Sequence, residues 1–270
     1  MKLFFYILTF SVFLSCATSS PKEKINYREE MRNFVIEIAE FSREQDPDFI
    51  VIPQNGHELL LNADGEIADE YVSAIDGLGQ ESLIFGYYGD NTVTPQESRE
   101  YLLELLRTAK REGKTVLVTD YTDEDQKIKR SYERNTLNGF ISFPAPEREL
   151  TVVPESTDFI KNENKNDIKS LSDAKNFLYL LNYENYESKE ELLSALSKTN
   201  FDVFIMDAFF WGEPFTKENL EQIRIKDWKK IILGESNSYT QIILNAGFDG
   251  VYLDIIDGFW YFENIASGSK

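Results

Sequence analysis

The sequence predicts an α/β protein closed as a (β/α) barrel, and three observations predict it. From residue 26 onward, short apolar, β-favouring runs alternate with segments of helical period. That alternation demands parallel strands with helices outside them. Nearly every apolar run ends in a polar or acidic cluster, at the C-terminal mouth where such folds carry their chemistry. Setting aside the first 15 residues leaves 255, the usual size of one barrel. A hydrophobic content of 42%, with 14% of the chain aromatic, excludes a disordered chain.

The chain begins with an address. Lys2 precedes an apolar run over residues 3–14 that ends in Ser15-Cys16. The run is too short to span a bilayer, which takes roughly 20 residues, and it has the charged start and small-residue end of a secretory signal. Cys16, the sole cysteine, stands where a lipoprotein signal is cut and acylated. Residues 1–15 therefore read as a signal, 16–25 as a polar tether, and 26–270 as one domain, exported and lipid-anchored to the cell envelope or surface. One cysteine allows no disulfide within the chain, so the fold must stand on its core.

Residues 28–45 place Met31, Phe34, Val35, Ile38 and Phe41 at helical spacing. Phe49-Ile50-Val51-Ile52 is a strand stopped by Pro53, and Ser82 to Phe85 a weaker one. Thr94-Pro95-Gln96-Glu97 opens a leucine-rich helix in capping-box style, and Gly113 closes it. Strands follow at 115–119, ending in Asp120-Tyr121, and at 139–143, with a charged helix over 123–135 between them. Residues 155–170, rich in Asn, Lys, Asp and Glu, form a linker. A strand at 176–181 ends in Asn182-Tyr183, Ser188 caps the next helix, and a strand at 202–206 ends in Asp207 with Phe209, Phe210 and Trp211 beyond. Helices near 216–232 and 238–246 lead to Val251-Tyr252-Leu253, which ends in Asp254, with Asp257 three residues on. That gives seven recognisable strands, one short of the usual eight.

An unpaired carboxylate inside a buried strand is too costly, so Asp254 belongs at a solvated mouth. Taken alone it serves equally well as a cap, with Asp257 a solvated loop residue; the repetition of acidic strand ends is what favours a site. Lys and Arg number 28 against 47 Asp and Glu, a net charge of −19. Nucleic acid and an anionic membrane surface are thereby disfavoured as direct ligands, and a cationic one suits. The membrane is expected to be met only through lipid. With one histidine, His57, and no calcium-loop spacing, neither metal nor cofactor is expected. No Gly-x-Ser-x-Gly elbow supplies a serine nucleophile.

The residues also carry a resemblance. Asn26-Tyr27-Arg28-Glu29-Glu30-Met31, Ile52-Pro53-Gln54-Asn55-Gly56, Ala74-Ile75-Asp76-Gly77, Asn176-Phe177-Leu178-Tyr179 and the stretch 247–257 resemble the TIM-barrel glycosidases of the endo-α-1,4-polygalactosaminidase kind, glycoside hydrolase family 114, in its bacterial and archaeal extracellular branch. The resemblance covers most of residues 26–264. It implies an extracellular hydrolase of a galactosamine-containing polymer, with an Asp ending the fourth barrel strand and a Glu after the sixth. Asp254 matches the first, Glu81 the second, and Gln54 and Asn55 match polar groups at the mouth of the fifth strand. A family Glu often stands at the position of His57, which leaves this residue either in the cleft or at the surface.

Two departures from the family pattern stand out. The Tyr-Leu-Asp strand comes last here, about 200 residues after the Pro-Gln-Asn-Gly strand, whereas in the family it precedes that strand. The chain therefore reads as a circular permutant, with the linker at 155–170 joining the family's old termini; barrels tolerate this because their ends lie close together. The sequence also reads as lacking a strand with a Gly-Glu-Ala-Glu-type end between Asp207 and Gly250.

Glycoside cleavage needs two carboxyl groups, one to protonate the leaving oxygen and one to stabilise or attack the anomeric carbon. Their environments must drive their pKa values apart. Asp254 and Glu81 are the expected pair, although 173 positions separate them. Asp120, Asp207 and Asp257 are expected on the rim with Tyr121 and Tyr183, holding an amino-sugar oligomer or polysaccharide. Solvated caps explain the rim acids equally well. Phe209, Phe210, Trp211, Trp260 and Tyr261 read either as sugar platforms or as packing. A catalytically impaired carbohydrate-binding lipoprotein is the alternative to a hydrolase, and a structural or partner-binding lipoprotein a third class.

Overall fold

The computed structural model describes residues 25–154, 163–224, 231–235 and 240–267. The strands are β1 (Ile50–Pro53), β2 (Gly77–Glu81), β3 (Thr115–Tyr121), β4 (Ile141–Ala145), β5 (Phe177–Leu180), β6 (Val203–Asp207), the two-residue β7 (Phe209–Phe210) and β8 (Glu213–Pro214), β9 (Ile231–Glu235) and β10 (Gly250–Leu253). The helices are α1 (Tyr27–Arg43), α2 (Asp69–Ala74), α3 (Gln96–Arg111), α4 (Asp125–Leu137), α5 (Lys189–Ser197), α6 (Lys217–Ile223), α7 (Thr240–Ala246) and α8 (Phe259–Ser267).

The architecture is α/β with mostly parallel strands. One sheet runs β1-β10-β9-β6-β5 and a second runs β2-β3-β4, all pairs parallel, while β7 and β8 make a small antiparallel hairpin. The sheets meet where Gln54 bridges Gly79 in parallel, with the Asn55 amide donating to the Gly79 carbonyl at 2.8 Å. At the opposite edges, Phe143 of β4 meets Phe177 of β5, ring centroids 5.6 Å apart. β3 and β4 are buried along their whole length, as parallel strands covered on both faces must be. β1 and β10, from opposite ends of the chain, pair from Ile50–Gly250 to Pro53–Leu253. That pairing is the one the order of motifs predicts.

Four sequence expectations need correction. The strand read as lost is present as β9, between β6 and β10, so the described residues hold eight parallel strands and not seven. The helix expected over 216–232 ends at Ile223, and Ile231, Ile232 and Leu233 are buried strand residues. A three-residue apolar run directly after a charged stretch is easily read as the tail of a helix; its β-branched Ile231 and Ile232 are the contrary signal. Second, the strand expected at 82–85 lies at 77–81, and Ser82 already turns away with φ 57°. Gly77 and Gly79 hide it, since glycine weakens a strand pattern. Gly79 is needed because a Cβ there would lie 1.8 Å from the Tyr252 hydroxyl oxygen, and glycine in a strand often marks such a close approach.

Third, the linker near 155–170 is only partly a linker. Residues 155–162 lie outside the described residues, but Asn164 and Ile168 are buried, and Asn164 Nδ2 donates to Asp202 Oδ2 at 3.3 Å. Fourth, Thr94 does not cap α3. Its hydroxyl donates to the Ser82 carbonyl at 2.7 Å, and Pro95 stands at the N-cap. The expected cap at Ser188 does form, accepting from the Glu191 amide, and Asn26 likewise caps α1, accepting from the Glu29 amide. The signal, Cys16 and residues 16–24 of the tether lie outside the described residues. No helix among the described residues is long and apolar enough to cross a membrane.

Candidate functional site

Gln54 follows β1, Glu81 and Tyr121 end β2 and β3, and Asp254 follows β10. Parallel pairing brings all four to one end of the fold. Three of these strands are followed at once, or after one residue, by a residue in the left-handed region: Asn55 at φ 59°, Ser82 at 57° and Ile255 at 60°. For a β-branched residue such as Ile255 this is a true outlier, of the kind that clusters at functional sites. Here the sharp turn comes directly after Asp254, and the Ile255 amide donates to Asp254 Oδ1 at 2.7 Å.

The Glu81 carboxyl accepts a hydrogen bond from the Tyr121 hydroxyl and another from the Gln54 side chain. Gln54 is itself held, its Oε1 accepting from the Tyr179 hydroxyl at 2.9 Å. Burial pushes the Glu81 carboxyl above the usual range; the Tyr121 bond opposes this, the Asp254 charge adds to it, and Arg148 and Gln54 oppose it. Asp254, at the same end of the fold, is thus near enough for its charge to act on Glu81. Asp257 is exposed at the mouth, yet partial desolvation first, then Asp254 and Glu58, push its carboxyl up, against a backbone hydrogen bond that lowers it. A groove of about 460 Å³ opens here, lined by Asn55, His57, Glu58, Glu81, Asp257 and Trp260 among others.

His57 lies in the groove wall and not on the surface. It is only 2% exposed, with Nε2 at 2.6 Å from Gln80 Oε1 and no partner on Nδ1. Burial lowers its pKa, against the Gln80 bond and the Glu58 charge, which keeps the ring neutral. Gln80 Nε2 also reaches Asn55 Oδ1 at 3.4 Å. Asp207 ends β6 at the same end of the sheet, half-buried with its carboxyl pushed up by burial, and Oδ1 accepts from the Phe209 amide at 2.9 Å. It shapes the turn into the β7–β8 hairpin, whose tip exposes Trp211.

Three residues expected on the rim are elsewhere. Asp120 is fully buried, accepting from the Ile84 amide at 2.7 Å, the Phe85 amide at 3.0 Å, Ser131 Oγ at 2.6 Å and Asn135 Nδ2 at 3.1 Å. Strand side chains alternate in direction, so Tyr121 turns to Glu81 while Asp120 turns to α4 and the loop after β2. Tyr121 is buried and meets Glu81, not the rim. Tyr183 is buried against Phe210, ring centroids 5.8 Å apart, and its hydroxyl donates to the Asp207 carbonyl at 2.8 Å. An acidic or aromatic strand end does not disclose which face it takes; the register of the neighbouring strand decides that.

Sequence reasoning missed Tyr179, Glu58 and Arg148. For Tyr179 the signal was a hydroxyl inside an otherwise apolar strand. Arg148, in the polar stretch after β4, carried none. Among the described residues, no group of three or more His, Cys, Asp or Glu side chains could hold a metal ion.

Fold and site together define an α/β protein with mostly parallel strands and with Glu81 and Asp254 both at their C-terminal end. No family model matches the chain. It is similar to uncharacterized proteins of Thermotoga maritima, 35% identical over 123 residues, and Deinococcus radiodurans, 30% identical over 116 residues. Each match takes in 43% of this chain, with 36% of the first relative and 35% of the second. The chain therefore spans about a third of the length of these relatives. Among solved structures, N-acetylneuraminate lyase from Mycoplasma synoviae overlaps 82% of this chain and 75% of its own, at 13% identity and a TM-score of 0.46. A Silicibacter pomeroyi protein described as a glycerophosphoryl diester phosphodiesterase overlaps 82% and 94%, at 10% identity and a TM-score of 0.47. Overlaps this loose say nothing of this chain's chemistry.

Proposed function

We propose that this chain is a glycoside hydrolase of a galactosamine-containing polysaccharide, with Glu81 as the general acid and Asp254 as the partner carboxylate. One observation supports this above the others: the two carboxyls come from β2 and β10, on either side of β1, and burial favours the protonated form of Glu81 while Asp254 is partly exposed. Two carboxyls in unequal environments are what protonation of a leaving oxygen and stabilisation of an oxocarbenium-like state require. Gln54 and Asn55 lie between them, and His57, Asp207 and Asp257 complete the acidic, partly aromatic end that would hold an amino sugar.

The same reading closes the eight parallel strands into a circularly permuted barrel. The Gln54–Gly79 bridge makes one seam and the Phe143–Phe177 contact the other. The impaired, merely carbohydrate-binding alternative rested on a lost strand, and β9 occupies that place. Incubating the purified protein with a panel of amino-sugar polymers should release oligosaccharides from at least one; release from none would end the reading. Export and lipid anchoring belong to the same proposal. Cys16→Ser should leave the precursor uncut or free the protein from the membrane fraction, and unchanged fractionation would refute the anchor.

A further inference from the structure

We propose that Tyr121 and Arg148 form a two-layer brace for the Glu81 carboxyl, the phenol holding the carboxyl and the guanidinium, stacked on its ring, holding the phenol. Consecutive strands of one sheet supply the parts: Glu81 ends β2, Tyr121 ends β3, and Arg148 follows β4. The Tyr121 hydroxyl donates to Glu81 Oε1. Behind it, the Arg148 guanidinium carbon lies 4.1 Å from the centroid of the Tyr121 ring. Planar stacking of this kind suits arginine and not lysine.

Arg148 is held in turn by the loop after β2. Its Nη2 donates to the Gly86 carbonyl, and Nε to Asp90 Oδ1 at 3.2 Å. The Asp90 pair is partly exposed and contributes little by itself; its role is to orient the fork. The loop also wraps Tyr121 directly. The Tyr121 amide donates to the Phe85 carbonyl at 3.2 Å, and the Asn91 amide to the Tyr121 carbonyl at 2.9 Å. Gly86, at φ 113°, has no room for a side chain, since a Cβ would lie 3.0 Å from Tyr121 Cδ2. Buried Asp120 anchors the loop's start through the Ile84 and Phe85 amides. The acid predicted on the rim thus builds the support of the brace.

Glu81 is faced by Tyr121 from β3, Gln54 after β1, Asp254 after β10 and Arg148 after β4. Asp257, Glu58 and neutral His57 line the groove farther out. Of these groups, Tyr121 and Gln54 favour the ionised carboxylate through hydrogen bonds, and Arg148 through its charge. Tyr121 and Arg148 are the positioning residues of the brace, and they should help set the pH at which Glu81 gives up its proton.

The inference rests on reading Glu81 as the acid only for its consequence in catalysis. Its test therefore needs no substrate: the Glu81 carboxyl resonance, assigned by its loss in Glu81→Gln, is titrated in protein carrying ¹³C-labelled glutamate. Tyr121→Phe, which keeps the ring packed, should move the midpoint to higher pH. Arg148→Gln should move it in the same direction. Arg148→Lys should also move it, because the ammonium keeps the charge without the stack. Midpoints unchanged in folded Tyr121→Phe and Arg148→Gln would overturn the brace, and an Arg148→Lys midpoint equal to the wild type would overturn its stacked layer. Shifted midpoints in a protein that cleaves no polymer would refute the hydrolase reading and leave the brace standing.

Discussion

Glu81 shows what a single residue costs and contributes here. Its carboxyl is held above its ordinary range, chiefly by burial. The folded protein therefore keeps a proton that the unfolded chain releases, and stability falls as pH rises through and above the ordinary carboxylate range. Glu81→Gln removes that penalty while retaining an acceptor for Tyr121. The variant should melt higher than the wild type at neutral pH, with the difference vanishing below about pH 4. A thermal melt at each pH checks this; a variant less stable at pH 7 would show that Glu81 is ionised and held by its partners. Asp254, with Tyr-Leu before it, was legible in the sequence because a carboxylate cannot sit inside a buried strand. Glu81 was legible only through the resemblance, since its strand is masked by two glycines. The inward turn of Tyr121 and the outward turn of Asp120 were not legible. They follow from the register of β2 on β3, Glu81 beside Thr119, which no local pattern states.

At the scale of elements, long periodic helices such as α1 and α3 were plain in the sequence. Weak strands beside stronger competing patterns were not. β2 reads as a glycine-broken stretch because its packing depends on what it lacks: Gly79 leaves room for the Tyr252 ring, which leans from β10 across to β2 and also packs against Tyr179 at 5.3 Å between centroids. Gly79→Ala should therefore destabilise the fold by about 1–3 kcal/mol, the range for overpacking a close contact. Urea denaturation measures it, and a neutral substitution would mean that Tyr252 is not committed to this position. β9 was missed for the opposite reason, an apolar run too short to separate from the helix before it. Its position between β6 and β10 joins β10, and with it the segment carrying Asp254, to the rest of the sheet.

For the whole molecule, the ends of the described chain lie together. Tyr27 stacks on Phe262 with centroids 5.5 Å apart, and Arg28 pairs with Glu263 at 2.9 Å. A chain rejoined by a short linker from residue 267 to residue 25, and reopened within 155–162, restores the order of motifs in the family that the sequence resembles. It should fold to the same circular dichroism spectrum with a melting temperature within a few degrees, since no described strand pairing is cut. Failure to fold would remove the support for permutation. The order of motifs made this topology legible, because only adjacent strands can bring the Pro-Gln-Asn-Gly and Tyr-Leu-Asp ends together. The central claim, that Glu81 and Asp254 are a working pair, is tested most directly by the rate at which reducing ends appear from a galactosamine polymer. Wild-type protein should cleave, and folded Glu81→Gln and Asp254→Asn should each lose on the order of a hundredfold or more, the scale of one general acid or base. Cleavage at the wild-type rate by either variant would contradict it.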